Sequence, residues 1–160
     1  MRTRTLVAGV AVLIAFAASA ATTTAQGKDP WAGTWKLNVA KSSYSPGPGP
    51  KSTTVVITAP DGGISQTVDT VPATGAAQHW TVTAKFDGKE VAVKGNPTAD
   101  MMSFKKISDR SYEITSKKGG KTTSTGRVSV SADGKTRTNV QTGTTGDGKP
   151  SKNTLVFDKA

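Results

Sequence analysis

The sequence predicts an all-β fold: an antiparallel up-and-down meander of about nine or ten strands that closes into a barrel. Three observations predict it. No stretch after residue 28 sustains a helical period. Apolar and polar residues instead alternate with period two, as on a sheet with one buried face. Turn pairs recur between the alternating runs: Asp61-Gly62, Asp87-Gly88, Gly119-Gly120, Asp133-Gly134 and Asp147-Gly148. Asp and Gly tolerate positive φ, which two-residue hairpins require.

The first strand, 33–40, places Trp35, Leu37 and Val39 on one face and Thr34, Lys36 and Asn38 on the other. Residues 42–51 follow, with three prolines and two glycines, and read as an extended non-helical loop. Strands 52–59 and 63–71 flank the first turn pair. The clearest alternation is in 78–86, with Trp80, Val82, Ala84 and Phe86 against Thr81, Thr83 and Lys85. Strand 89–94 continues it through Val91 and Val93, and Asn96-Pro97 then interrupts. Strand 101–107 carries Met102 and Phe104. A tight connection at Ser108-Asp109-Arg110 leads to 111–118, with Tyr112 and Ile114. Strands 121–131 (Val128, Val130), 135–143 and 152–158 (Leu155, Phe157) complete the series. A meander of this length closes on itself, which removes exposed edges.

At 160 residues the chain is the size of one domain. Residues 1–20 have the three parts of a secretory signal: Arg2 and Arg4, an apolar run from Leu6 to Ala18, and a small-x-small site at Ala18-Ser19-Ala20. Cleavage is expected after Ala20 or Ala25. Residues 21–28 then form a flexible lead-in, and 29–160 the single barrel domain. The expected location is outside the cytoplasm, in the periplasm or the medium. The chain has no cysteine, so disulfides, thiol catalysis and lipid attachment through cysteine are excluded.

The formal charge is +10, or +8 without Arg2 and Arg4. Such a charge attracts anionic surfaces. Lys105, Lys106, Arg110, Lys117, Lys118 and Lys121 form the densest basic stretch, which reads as a solvated rim or as a polyanion site. Nucleic acid is not expected: no basic helix is present, and aromatics do not interleave with the cations.

Residues 143–149, Gly-Thr-Thr-Gly-Asp-Gly-Lys, have the spacing of a phosphate-binding loop. Pro150 stands where that loop needs Ser or Thr, and no strand-then-helix pattern surrounds it, so a hairpin is expected instead. His79 is the only histidine. A Ser-His-Asp arrangement would have to use it, with Asp69 or Asp100, but no Gly-x-Ser-x-Gly elbow exists and His79 alternates away from the apolar face. One His and no Cys argue against zinc. Asp61, Asp87, Asp109, Asp133 and Asp147 fall in turns, where they cap backbone groups. No cofactor is implied.

Residues 29–38, Asp-Pro-Trp-Ala-Gly-Thr-Trp-Lys-Leu-Asn, resemble the opening of the calycins, the group of lipocalins and intracellular fatty-acid-binding proteins. The longer opening through Pro50 is similar to a group of small exported bacterial proteins. Ala132-Asp133-Gly134-Lys135-Thr136 and the final Asn153–Lys159 run resemble the end of a fatty-acid-binding protein. The resemblance implies that Gly33 and Trp35 are structural, with Trp35 plugging the closed end. It also implies that a late arginine, Arg127 or Arg137, lies over the Trp35 indole as a cation–π contact. The family's carboxylate-holding Arg and Tyr fall on Leu155 and Phe157, and its two-helix lid is replaced by the loop at 42–51. A fatty acid held in the family's manner is therefore not implied.

The apolar face of Trp80, Val82, Phe86, Met102, Phe104, Tyr112 and Ile114 either lines a ligand cavity or fills a core. Aromatics make up only 6% of the chain. That leaves few bulky side chains to fill the interior and favours a cavity or a flattened barrel. The expected function is non-catalytic binding of a small, largely apolar molecule by a monomer. A basic protein that binds an anionic envelope surface is the alternative, and a calycin-type enzyme a third.

Overall fold

The computed structural model describes residues 29–60 and 62–160; the expected signal segment and lead-in lie outside them. The described chain is an antiparallel meander of eleven strands with no α-helix. The strands are β1 (Gly33–Leu37), β2 (Ser43–Ser45), β3 (Ser52–Thr58), β4 (Gly63–Val71), β5 (Gln78–Lys85), β6 (Asp87–Ala92), β7 (Met101–Ser108), β8 (Ser111–Lys118), β9 (Lys121–Val130), β10 (Thr136–Thr144) and β11 (Pro150–Lys159). Hydrogen-bonded order runs β5-β4-β3-β1-β11-β10-β9-β8-β7-β6, with β2 also on β11. First and last strands meet through β1–β11, where Trp35 lies opposite Lys159 and Leu37 opposite Phe157.

The barrel is nearly closed and keeps one unsealed seam. β5 and β6 stand at the two ends of the strand order. They are consecutive in the chain and joined at Phe86, yet make no ladder. A single bridge at Thr81 and Lys94 spans them, with N–H···O distances of 2.9 and 3.0 Å. Phe86 instead accepts from Lys106 across to β7. Trp80, Phe86, Val91 and Val93 pack against the core along the opening.

The expected first strand stops three residues early. Asn38 ends it: its side chain accepts from the Lys41 amide at 3.1 Å and caps a 3-10 turn, Val39–Lys41. Val39 is consequently 50% exposed although it continues the apolar alternation. Ser42 then donates to the Asn38 carbonyl and accepts from the Val156 amide. That linkage returns the chain to β11 as β2, so part of the expected loop is strand. The Tyr44 ring lies flat on the following Pro/Gly segment, where a Cβ at Gly49 would overlap it.

The interior is layered along the barrel axis. At the end holding the β3–β4, β7–β8 and β9–β10 turns, the largest fully buried side chains gather: Trp35, Ile57, Ile64, Phe104, Tyr112 and Val128. Trp35 donates its indole N–H to the Trp31 carbonyl at 2.9 Å, which fastens the entering chain across this closed end. Toward the opposite end the inward positions turn polar, with Thr53, Gln66, Ser116 and Asn139 buried.

Candidate functional site: a half-polar cavity in the barrel

The polar end of the barrel contains a cavity of about 240 Å³. Pro50, Asn96 and Thr98 border its mouth. These come from the β2–β3 and β6–β7 connections. Val55, Val68, Trp80, Met102, Ile114 and Leu155 supply apolar wall. At about 30 Å³ per water, the space equals roughly eight waters, enough for one small molecule.

Strand parity explains the polar wall. On β10, alternate residues Arg137, Asn139 and Gln141 all line the cavity. Arg137 is the deepest, opposite Phe157 and Val130 in the flanking strands. Gln66 does the same on β4, between inward Ile64 and Val68. Arg137 is 3% exposed, Gln66 3% and Asn139 6%.

Arg137 donates from Nη2 to the Tyr112 hydroxyl at 3.3 Å, and its Cζ lies 5.1 Å from the Phe157 ring centroid. Among the described residues, its Nε has no hydrogen-bond partner; neither has Gln66 Nε2 nor Asn139 Oδ1. Among the described residues, no carboxylate lines the cavity. Among the described residues, none forms a salt bridge with Arg137. A buried charge without a counter-ion and three unpaired polar atoms are costly in an interior.

The seven apolar candidates divide among three environments. Trp80, Met102 and Ile114 line the cavity. Val82 and Phe104 are buried in the core. Phe86 and Tyr112 face the closed end, where with Trp31 they edge an open groove of about 580 Å³. Trp31 and Tyr112 pack there with ring centroids 4.7 Å apart and ring planes tilted by 58°. This groove is larger, but its aromatic floor is part of the packed core and none of the unpaired buried side-chain atoms lies in it.

The cation over Trp35 is Lys159, at 4.8 Å, not Arg127 or Arg137 as the resemblance implies. Arg127 sits outside because it alternates with inward Val128, while Arg137 is committed to Phe157. Gly33 serves this contact: its φ is +133°, and a Cβ would stand 2.8 Å from Lys159 Cε.

The basic stretch is not one patch. Lys106 and Arg110 lie at the closed-end turn of β8, and Lys118 and Lys121 at its other end, about 23 Å away at the rise of a strand. Lys106 pairs with Asp109 at 2.7 Å and Lys117 with Glu90, while Arg110 donates to the Ser131 carbonyl. His79 Nδ1 and Asp69 Oδ1 are 2.7 Å apart on the outer face, away from the cavity. Residues 143–149 form the β10–β11 hairpin, with the Thr145 amide donating to the Lys149 carbonyl at 2.8 Å. Among the described residues, no cluster of three His, Asp or Glu could hold a metal.

Of the apolar wall, Trp80, Met102 and Ile114 belong to the face expected from the sequence; Val55, Val68, Leu155 and the polar partners do not. The signal for Gln66, Asn139 and Arg137 was present: each shares the parity of apolar inward neighbours on its own or the adjoining strand. Compared with known families, curated proteins and solved structures, the chain gives no match.

Proposed function

We propose that this protein is a non-catalytic carrier that binds one small, largely apolar molecule in the barrel interior, with a polar end of the ligand on the β10 wall. The reading rests on one observation: a cavity inside the barrel carries apolar wall and unpaired buried polar atoms together. An apolar lining desolvates a ligand, while a few placed polar groups orient it. We further propose that the barrel is calycin-like, works as a monomer, and acts after export directed by residues 1–20. Binding of an anionic envelope surface gains less support, because the cations divide between two ends of the molecule and several are paired within it.

Gentle native mass spectrometry of the mature protein, purified from its host's envelope and followed by solvent extraction, tests this reading. The expected result is a stoichiometric added mass that extracts as a small amphipathic compound. A bare protein mass, together with no binding of small amphipathic acids or alcohols in titration, would overturn it.

A further inference from the structure

The three unpaired buried atoms do more than mark a polar cavity, because their chemistry constrains what fills it. Arg137 Nε and Gln66 Nε2 are donors, and Asn139 Oδ1 is an acceptor. An amide can exchange its oxygen and nitrogen by a flip, so Gln66 and Asn139 each offer either end. Arg137 cannot do so: a guanidinium has donors only and carries a positive charge. The Tyr112 hydroxyl and the Phe157 ring face it, and neither is an anion. Among the described residues the local charge therefore has no negative partner, and one of its donors, Nε, is unpaired.

The field outside points the same way. Lys51 and Lys94, with Lys118 and Lys121 at the facing ends of β8 and β9, are exposed at the cavity end. The carboxylates at this rim are engaged: Asp100 accepts from the Gly119 amide at 2.8 Å, and Asp147 pairs with Lys149 at 3.0 Å. A cationic rim around a low-dielectric opening concentrates anions at its mouth.

Building on the carrier reading, we infer that the ligand is a small organic oxyanion bearing a second hydrogen-bonding group close to the charge, such as a short β-hydroxy acid. The oxyanion sits on Arg137 at the floor of the cavity. The neighbouring hydroxyl is held between Asn139 and Gln66, and the apolar tail runs along Trp80, Met102 and Ile114 toward the mouth. The site differs from a clamp on the final strand, where Leu155 and Phe157 are apolar. Its arginine comes from β10.

Trp80 lines the cavity, so its fluorescence reports occupancy. The test titrates the mature protein with β-hydroxyoctanoate, octanoate, methyl octanoate and octanol. The expected order is β-hydroxyoctanoate tightest, octanoate several-fold weaker, and the ester and alcohol weaker than the hydroxy acid by at least about 30-fold, the scale of a charged hydrogen bond. Arg137→Met is expected to erase the preference for acid over ester. Arg137→Lys, which keeps the charge, is expected to retain much of it. Asn139→Leu keeps Arg137 and its packing and is expected to remove only the advantage of the hydroxyl.

Equal binding of ester and acid by the unaltered protein would overturn the oxyanion inference and leave the carrier reading standing. Equal binding of octanoate and β-hydroxyoctanoate would overturn the second hydrogen-bonding group. Failure of all four probes would overturn the oxyanion inference, and together with a bare protein mass in native mass spectrometry it would overturn the carrier reading as well.

Discussion

Gln66 and Asn139 are buried polar side chains, each with one unpaired atom facing the barrel interior. An unpaired buried polar group costs about 1–3 kcal/mol, whereas an apolar group of similar shape does not. Gln66→Leu is therefore expected to raise the unfolding free energy of the unliganded protein by about 1 kcal/mol, read from urea unfolding, while weakening β-hydroxyoctanoate binding. A gain in stability coupled to a loss of binding is the signature of a functional residue retained at a structural cost. If the variant loses stability instead, Gln66 has a packing role. Gly33 is the opposite case. Its φ of +133° and the passage of Lys159 above it leave little room for a side chain. Gly33→Ala is expected to cost about 1–3 kcal/mol in the same measurement. Gly134→Ala provides the contrast, since nothing lies within 4 Å of its Cβ position and only its φ of +70° opposes the change.

Among elements, the hairpin-rich strands were the most legible in the sequence, because alternation and turn chemistry agree there. β8 and β9 around Gly119-Gly120, and β9 and β10 around Asp133-Gly134, follow the expected boundaries closely. The 3-10 break after β1 was not legible. Val39 extends the pattern of Trp35 and Leu37, and only the competing bonds of Asn38 and Ser42 reveal the bend. The seam was hidden for a related reason. Asp87-Gly88 is a sound hairpin signal, yet Phe86 turns its carbonyl to Lys106, and β5 separates from β6. The Thr83 and Lys85 amides lie on the same edge of β5 as Thr81, beyond its bridge to Lys94. They are expected to exchange hydrogen at least about tenfold faster than those of Val82 and Ala84, which face β4. Equal protection at all four would place a ladder across the seam.

The turns and chain end also set an acid limit. Asp158 is held below the usual carboxylate range chiefly by the Asn38 amide, then by Lys41; this ties the 3-10 turn to β11. Asp109 is lowered by its bond to Lys106, Asp133 by Ser131, and Asp147 by Thr145. A carboxylate lowered in the folded state contributes stability above its unfolded pKa of about 3.9, and that contribution fades as pH falls through the lower folded value. The melting temperature is thus expected to be level above about pH 5 and to decline below about pH 4. Because all four groups are exposed, the decline should be modest, and Asp158→Asn should shallow it. A melting temperature that rises on acidification would contradict the assignment.

At the scale of the whole molecule, the barrel is two layers with different tasks. The closed end is packed solid around Trp35 and Phe104, and it carries the fold. The open end trades packing for a cavity whose polar wall includes Arg137, Asn139 and Gln141 of β10 and Gln66 of β4. The sequence made the apolar face visible because a period of two in Trp80, Met102 and Ile114 is easily read. It concealed the polar wall because Gln66 and Asn139 look like outward residues until strand register places them inside, and Arg137 was expected over Trp35 and not beside Phe157. Charge followed the same course. The lysines between 105 and 121 are dense in sequence, but β8 carries them to opposite ends, and the cations that matter to the cavity are those at its rim.

The most direct test is a crystal structure of the mature protein grown with β-hydroxyoctanoate. One molecule is expected inside the barrel, its carboxylate within hydrogen-bond distance of Arg137 Nε and its tail against Trp80 and Met102. A closed, solid interior with Arg137 turned out to solvent, and no ligand inside, would rule out the carrier function.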